Sequence, residues 1–260
     1  PKGVFRKAER GDDYSDYEAC GFDEAFPTVD ACLIQVGNRK VLYPDHGELW
    51  SAAFTAHPDG NALVLYWKSP ELGYVYEKQL SLENNRLVCR YHIHNPGKSP
   101  LPALWVCHCL VHCEPDMRIL MPKEVRQAEN VFPSDWLGKA EEKLSYPIAA
   151  GPRGSIDLQS MPADGALKYY ASSAVKEGRC RYVYPGSNML AELEYDSDML
   201  PYLGFWATNG GYRGDVNCAL EPANGYYDNI DHAKRHNACP VLTSGETWNF
   251  TLSIRLNTLA

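Results

Sequence analysis

Trp248-Asn249-Phe250-Thr251-Leu252-Ser253-Ile254-Arg255-Leu256 decides the fold class, because large apolar residues take every second position and polar residues the positions between. A period of two puts the apolar set on one face of an extended chain, the pattern of a half-buried strand. Further from the C-terminus, Leu87, Cys89, Tyr91 and Ile93 alternate with Val88, Arg90, His92 and His94. Ala62 to Trp67 reads as a more buried strand after the Asp59-Gly60 turn signal. Seventeen Tyr, 20 Gly and 18 Pro supply strand formers and turn residues. Helical period is confined to two short candidates, Lys139 to Leu144 and Ser172 to Lys176. The expected class is mostly β with antiparallel sheets.

With 45% hydrophobic and 22% charged residues, the 260-residue chain has the composition of an ordinary globular protein, and a single domain over 1–260 is the expectation. A net charge of -8 argues against nucleic acid or an anionic membrane as the main partner, since both need concentrated Lys and Arg. The longest nearly apolar stretch, Leu101 to Val111, contains Pro102 and His108 and is about half the roughly 20 residues of a membrane span. Pro1 to Asp13 is polar and lacks the apolar region of a signal peptide. Nine cysteines, at 20, 32, 89, 107, 109, 113, 180, 218 and 239, form an odd set in a chain that does not need disulfides, which favours reduced thiols in a cytosol. The sequon Asn249-Phe250-Thr251 is discounted because it lies inside the strand pattern. The expected state is a cytoplasmic monomer or homodimer.

Cys107-His108-Cys109 with His112-Cys113 offers zinc-type ligands. On a strand, however, Cys107, Cys109 and Cys113 face one way and His108 and His112 the other, so no single tetrahedral centre collects them, and no metal is expected. An imidazole embedded in Leu104-Trp-Val-Cys-His-Cys-Leu-Val111 must be desolvated and needs a partner. From position alone, a hydrogen-bonded core histidine and a catalytic one stand level. His46 sits in a turn-like context with Asp45, Glu48 and Trp50, polar groups beside an aromatic face that suit a sugar; a solvated loop histidine fits the composition equally well. In the polar, glycine-rich stretch from Gly204 to Asp228, which holds Trp206, Asn209, Arg213 and Asp215, Glu221 follows Cys218-Ala-Leu and precedes Pro222. It ends a buried run, and a carboxylate partly removed from water gains basicity useful to a general base.

Four stretches in order resemble the aldose 1-epimerase, or galactose mutarotase, family and its uncharacterised relatives: Gly21-Phe-Asp-Glu-Ala-Phe-Pro-Thr28, Pro44-Asp-His-Gly-Glu-Leu-Trp50, Leu101-Pro-Ala-Leu-Trp-Val-Cys-His108 and Ala219-Leu-Glu-Pro-Ala-Asn-Gly225. The resemblance covers nearly the whole chain and implies an antiparallel β-supersandwich of the galactose mutarotase type that binds a small carbohydrate. It implies catalytic roles for His108 and Glu221, a sugar-contacting role for His46, and a cleft lined by Asp23 and Glu24. Trp50 and Trp206 would be the cleft aromatics, with Asn209, Arg213 and Asp215 as further contacts. Family members usually carry several strands before the Gly-Phe-Asp-Glu stretch, whereas about twenty residues precede Gly21 here, so the expectation is a fragment or an incomplete record without those strands.

The implied activity is interconversion of the α and β anomers of a free aldose without a cofactor. Two alternatives stand beside it: a non-catalytic carbohydrate-binding protein, and an epimerase for a hexose 6-phosphate, which needs Arg39, Lys40, Arg118 or Arg213 to converge. Nucleotide-dependent chemistry finds no Gly-x-Gly-x-x-Gly and no P-loop.

Overall fold

The computed structural model describes residues 6–17 and 21–259, so Cys20 and the first five residues of the polar N-terminal segment lie outside it. The strands along the first part of the chain are β1 (Gly21–Ala25), β2 (Cys32–Val36), β3 (Arg39–Tyr43), β4 (Thr55–Asp59), β5 (Ala62–Lys68), β6 (Val75–Glu83), β7 (Arg86–His94), β8 (Leu101–Pro102) and β9 (Val106–Leu110). Then follow β10 (Arg118–Leu120), β11 (Gln127–Asn130), β12 (Lys143–Ser145), β13 (Ile148–Gly151), β14 (Gly154–Asp157), β15 (Gly165–Ala171), β16 (Arg179–Tyr184), β17 (Met189–Tyr195), β18 (Tyr202–Asn209) and β19 (Val216–Ala223). A short helix, α1 (Ile230–Arg235), precedes β20 (Val241–Leu242) and β21 (Thr247–Thr258). The chain is mostly antiparallel β, as its alternating segments require. Among the described residues no helix is long and apolar enough to cross a membrane.

Two units divide the chain. The first comprises Pro1–Leu82, Val88–His108 and Asn224–Thr251. Its largest sheet runs β4-β5-β6-β7, with the first half of β21 beside β7; β2-β3 and β20-β8 form small ribbons. The core of this unit is aromatic. Tyr91 stacks on Phe250 at 4.9 Å between ring centres, Trp105 meets Phe250 edge-on at 4.8 Å, and the Trp105 indole N–H donates to the Tyr76 hydroxyl at 2.9 Å. A buried ring with a polar tip is usually given a partner for that tip, as Trp105 is here.

The second unit comprises Glu83–Leu87, Cys109–Ala223 and Leu252–Ala260. A five-stranded sheet runs β19-β18-β15-β11-β12, and a second one runs β10-β16-β17 with the latter half of β21. Tyr169, Phe205, Tyr182, Leu203 and Leu220 fill its interior. The Tyr169 hydroxyl donates to the Leu158 carbonyl at 2.6 Å.

Three local expectations need correction. Lys139 to Leu144 and Ser172 to Lys176 form no helix: the first leads into β12, and the second follows β15 as a bend. The sheet ladder Glu129↔Lys143 claims the backbone that a helix would have used. The one α-helix described, α1, went unpredicted because its six residues are too few for a periodic signal; Asn229 caps it by accepting from the backbone N–H groups of Asp231 and His232. Third, β5 is more open than its composition suggested, with Leu63 and Tyr66 exposed, because only the exposed strand β4 lies between it and the sheet edge. In β21 the alternation holds through Trp248, Phe250 and Leu252, then lapses at Leu256, which faces the small Ala191 and stays exposed.

The turn after β3 fixes the backbone next to His46. Gly47 has φ +73, and a Cβ there would lie 2.0 Å from the Phe26 carbonyl oxygen, which accepts the Glu48 N–H at 2.8 Å. No side-chain rotation relieves a clash with backbone. Gly47→Ala is therefore expected to lose at least about 2 kcal/mol of stability, read by urea unfolding; an unchanged midpoint would contradict this account of the turn.

Candidate functional site

In the first unit, β9 carries His108 and β1 carries Asp23. The His108 Nδ1 lies 2.8 Å from Asp23 Oδ1, with the imidazole buried and the carboxylate one-third exposed. An ionised carboxylate only accepts, so the proton of this bond sits on Nδ1, and Nε2 is left as the working nitrogen. The pleat sends Cys107 the other way, toward Tyr76 and Lys78, where it packs as a small hydrophobe.

His46 comes from the Pro44–Gly47 turn, where its φ is +54 and its N–H donates to the Val29 carbonyl. Its Nδ1 lies 3.0 Å from Asp45 Oδ2, and its ring centre is 5.3 Å from that of His108. Trp50 stands in the following 3-10 turn, its indole N–H held by the Asp45 carbonyl at 3.2 Å. Asp23, His46, Trp50 and His108 thus gather in one unit from three separate stretches of sequence.

Tyr14 also belongs to this cluster, although it lies just past the polar segment Pro1 to Asp13 and sequence reasoning gave it no role. Its ring stacks on His46 at 3.7 Å with planes 9° apart, meets Trp50 edge-on at 5.2 Å, and brings its hydroxyl 3.3 Å from His108 Nδ1. Tyr17 approaches Trp50 edge-on as well. The available signal was a pair of aromatics, three residues apart, in an otherwise polar stretch.

Glu24 does not join its neighbour Asp23. Successive strand residues face opposite sides, so Glu24 turns into the aromatic core, where it is 5% exposed, pairs with Lys78 and accepts from the Tyr91 hydroxyl at 2.8 Å. Burial pulls the Lys78 ammonium down, but the attraction of Glu24 outweighs it together with lesser terms, and the group ends above its ordinary value.

In the second unit, Glu221 lies on β19, wholly buried, with Lys168 Nζ 3.1 Å from its Oε2. Register places Tyr170, Gly204 and Glu221 side by side across β15, β18 and β19, with Lys168, Trp206 and Ala219 in the adjacent row of the same face. Trp206 is half-buried and donates its indole N–H to Asn217 at 3.2 Å. Asn209, Arg213 and Asp215 are not brought to Glu221. Val216 opens β19 opposite Asn209, five residues from Glu221, which is roughly 17 Å of extended strand. The Asn209 amide is spent on the Pro162 and Ala163 carbonyls, while Arg213 and Asp215 sit in the β18–β19 turn. In the same unit Cys113 lies close to Cys218, and a hydrogen bond between the thiols lowers Cys113 and raises Cys218, while His112 is exposed.

Comparison with solved structures follows from this architecture. The chain matches a galactose mutarotase-like protein from Lactobacillus casei at 16% identity and TM-score 0.68, covering 91% of this chain and 85% of that one. The fold is that of the galactose mutarotase-like proteins. A galactose mutarotase related enzyme from Lactobacillus acidophilus matches at 14% identity and TM-score 0.66, over 92% of this chain and 83% of its own. An aldose epimerase homologue from C. elegans does so at 10% identity and TM-score 0.66, over 95% and 85%. No family model and no curated protein matches the sequence. At such identities the mutarotase-like fold is a scaffold, and its chemistry is argued from the residues it holds.

The Glu24–Lys78 pair offers a direct check on which face of β1 is structural. Glu24→Gln strands a buried ammonium and is expected to cost about 3–5 kcal/mol at pH 7 by urea unfolding. Because the folded-state value of Lys78 is raised, the pair's contribution is complete below the ordinary lysine range, about pH 10.4, and fades as pH rises through the folded value. A loss under about 1 kcal/mol at pH 7 would show that the pair is not holding this face.

Proposed function

We propose that the protein is an aldose 1-epimerase-like isomerase that interconverts the α and β anomers of a free aldose. The observation that carries this is the His108–Asp23 pair: the carboxylate fixes the imidazole through Nδ1 and leaves Nε2 available to a substrate. In the proposed reaction Glu221 removes the proton from the anomeric hydroxyl while His108 protonates the ring oxygen. The C1–ring oxygen bond breaks, C1 becomes the aldehyde carbon, and rotation about C1–C2 presents the other carbonyl face before the same groups run in reverse. Proton transfer alone accomplishes this, so no cofactor enters. His46 and Trp50 would contact the sugar, as would Trp206.

A phosphorylated substrate draws less support. Arg39 lies 3.8 Å from Glu71, and Arg118 is engaged by Asp157 at 2.9 Å and Ser160 at 2.6 Å, so these cations already face protein groups. A cytoplasmic site of action is part of the proposal; it is supported by the many cysteines of a chain large enough not to need disulfides, with burial pushing the Cys239 thiol up to about 11.

Polarimetry on freshly dissolved α-D-glucose and α-D-galactose tests the proposal. Wild type is expected to accelerate mutarotation over buffer, and Glu221→Gln and His108→Asn each to lose about 10²- to 10⁴-fold. Sugar binding by calorimetry without acceleration would make the protein a carbohydrate-binding one instead.

A further inference from the structure

Glu221 is the most deeply buried of the groups given a role in the proposed reaction, and a carboxylate removed from water tends to take up a proton and cease to be a base. What opposes this is visible in the second unit alone. Lys168 starts on β15, two strands from Glu221 on β19, a gap of about 10 Å between strands. Its ammonium crosses β18 to lie 3.1 Å from Glu221 Oε2, and both side chains are more than nine-tenths buried.

Beside this crossing, β18 has Gly204 opposite Glu221. A Cβ at Gly204 would come within 2.7 Å of the Tyr170 ring, which occupies the space that a side chain would have filled. The Lys168 ammonium also lies 5.9 Å from the centre of that ring. The other charges on this face are already matched: Glu129, in the same row as Tyr170, pairs with Lys143. Among the described residues of this unit, the titratable groups facing Glu221 are therefore Lys168 and Tyr170 from β15 and Glu129 from β11, while Gly204 and Trp206 of β18 do not titrate.

We propose that Lys168 is a positioning residue that reaches across β18 to orient the Glu221 carboxylate and keep it ionised, ready to take a proton. This deepens, and rests on, the isomerase assignment above. Lys168 acts through Glu221, so its removal weakens the base without removing it.

The pH dependence of kcat/KM is measured for wild type, Lys168→Met and Lys168→Arg. Without the cation Glu221 holds its proton to higher pH, so the acid limb in Lys168→Met is expected to move upward by at least about one pH unit, with activity recovering above it. Lys168→Arg is expected to return the limb toward its wild-type place. A folded Lys168→Met that loses activity equally at every pH, with its limb unmoved, overturns the proposal.

Because a stranded buried carboxylate can itself prevent folding, Lys168→Met is also combined with Glu221→Gln. The neutral pair is expected to unfold at a higher temperature than Lys168→Met alone; equal or lower stability overturns the pairing. A readout free of the reaction separates this inference from the isomerase assignment. In protein labelled with ¹³C at glutamate carboxyls, the Glu221 signal, assigned by its loss in Glu221→Gln, is expected to titrate at higher pH in Lys168→Met. If wild type fails to accelerate mutarotation while that shift is seen, the isomerase assignment falls and the Lys168 role stands; an unshifted titration overturns the role whatever the sugars show.

Discussion

A carboxylate taken out of water must meet a cation, and the side chains of this protein are arranged around that requirement. Five glutamates are buried among the described residues, and each has a basic partner within its own unit: Glu24 with Lys78, Glu48 with Arg10, Glu129 with Lys143, Glu192 with Arg181 and Glu221 with Lys168. Each pair ties one strand or turn to another. Arg10, for example, anchors the N-terminal segment to the turn that carries His46 and Trp50, and Ser69 takes the other Glu48 oxygen at 2.8 Å.

The strand pleat decides which of these charges serve packing and which are left for chemistry. Asp23 and Glu24 are neighbours in sequence and opposites in space: one orients an imidazole and the other closes an aromatic core. The same alternation separates His108 from Cys107, so an apparent cluster of metal ligands becomes a histidine on one face and a packed thiol on the other. On the sheet of the second unit, Lys168, Trp206 and Glu221 share a face although they lie on three strands.

Proton transfer needs groups whose environments pull them apart, one made ready to donate and one to accept. In the first unit a carboxylate supports an imidazole; in the second an ammonium supports a carboxylate. Each arrangement stands within its own unit.

Period-two alternation, with Tyr, Gly and Pro in place of helical period, determined the antiparallel β class, because side-chain direction in a strand follows directly from position. Sequence also singled out His108, His46, Trp50 and Glu221, since buried polar residues and a polar, aromatic turn stand out against an apolar pattern; Asp23 came only from the family resemblance. It did not determine the partners. Lys168 reaches Glu221 only because β15, β18 and β19 lie side by side in a register that puts the two residues on one face; Tyr14 stacks on His46 from a segment 32 residues away. Asn209, Arg213 and Asp215, close to Glu221 in sequence, are carried off along a hairpin. Pairing across strands depends on register and long-range packing, which no local pattern encodes, so only the tertiary structure could decide which charges meet.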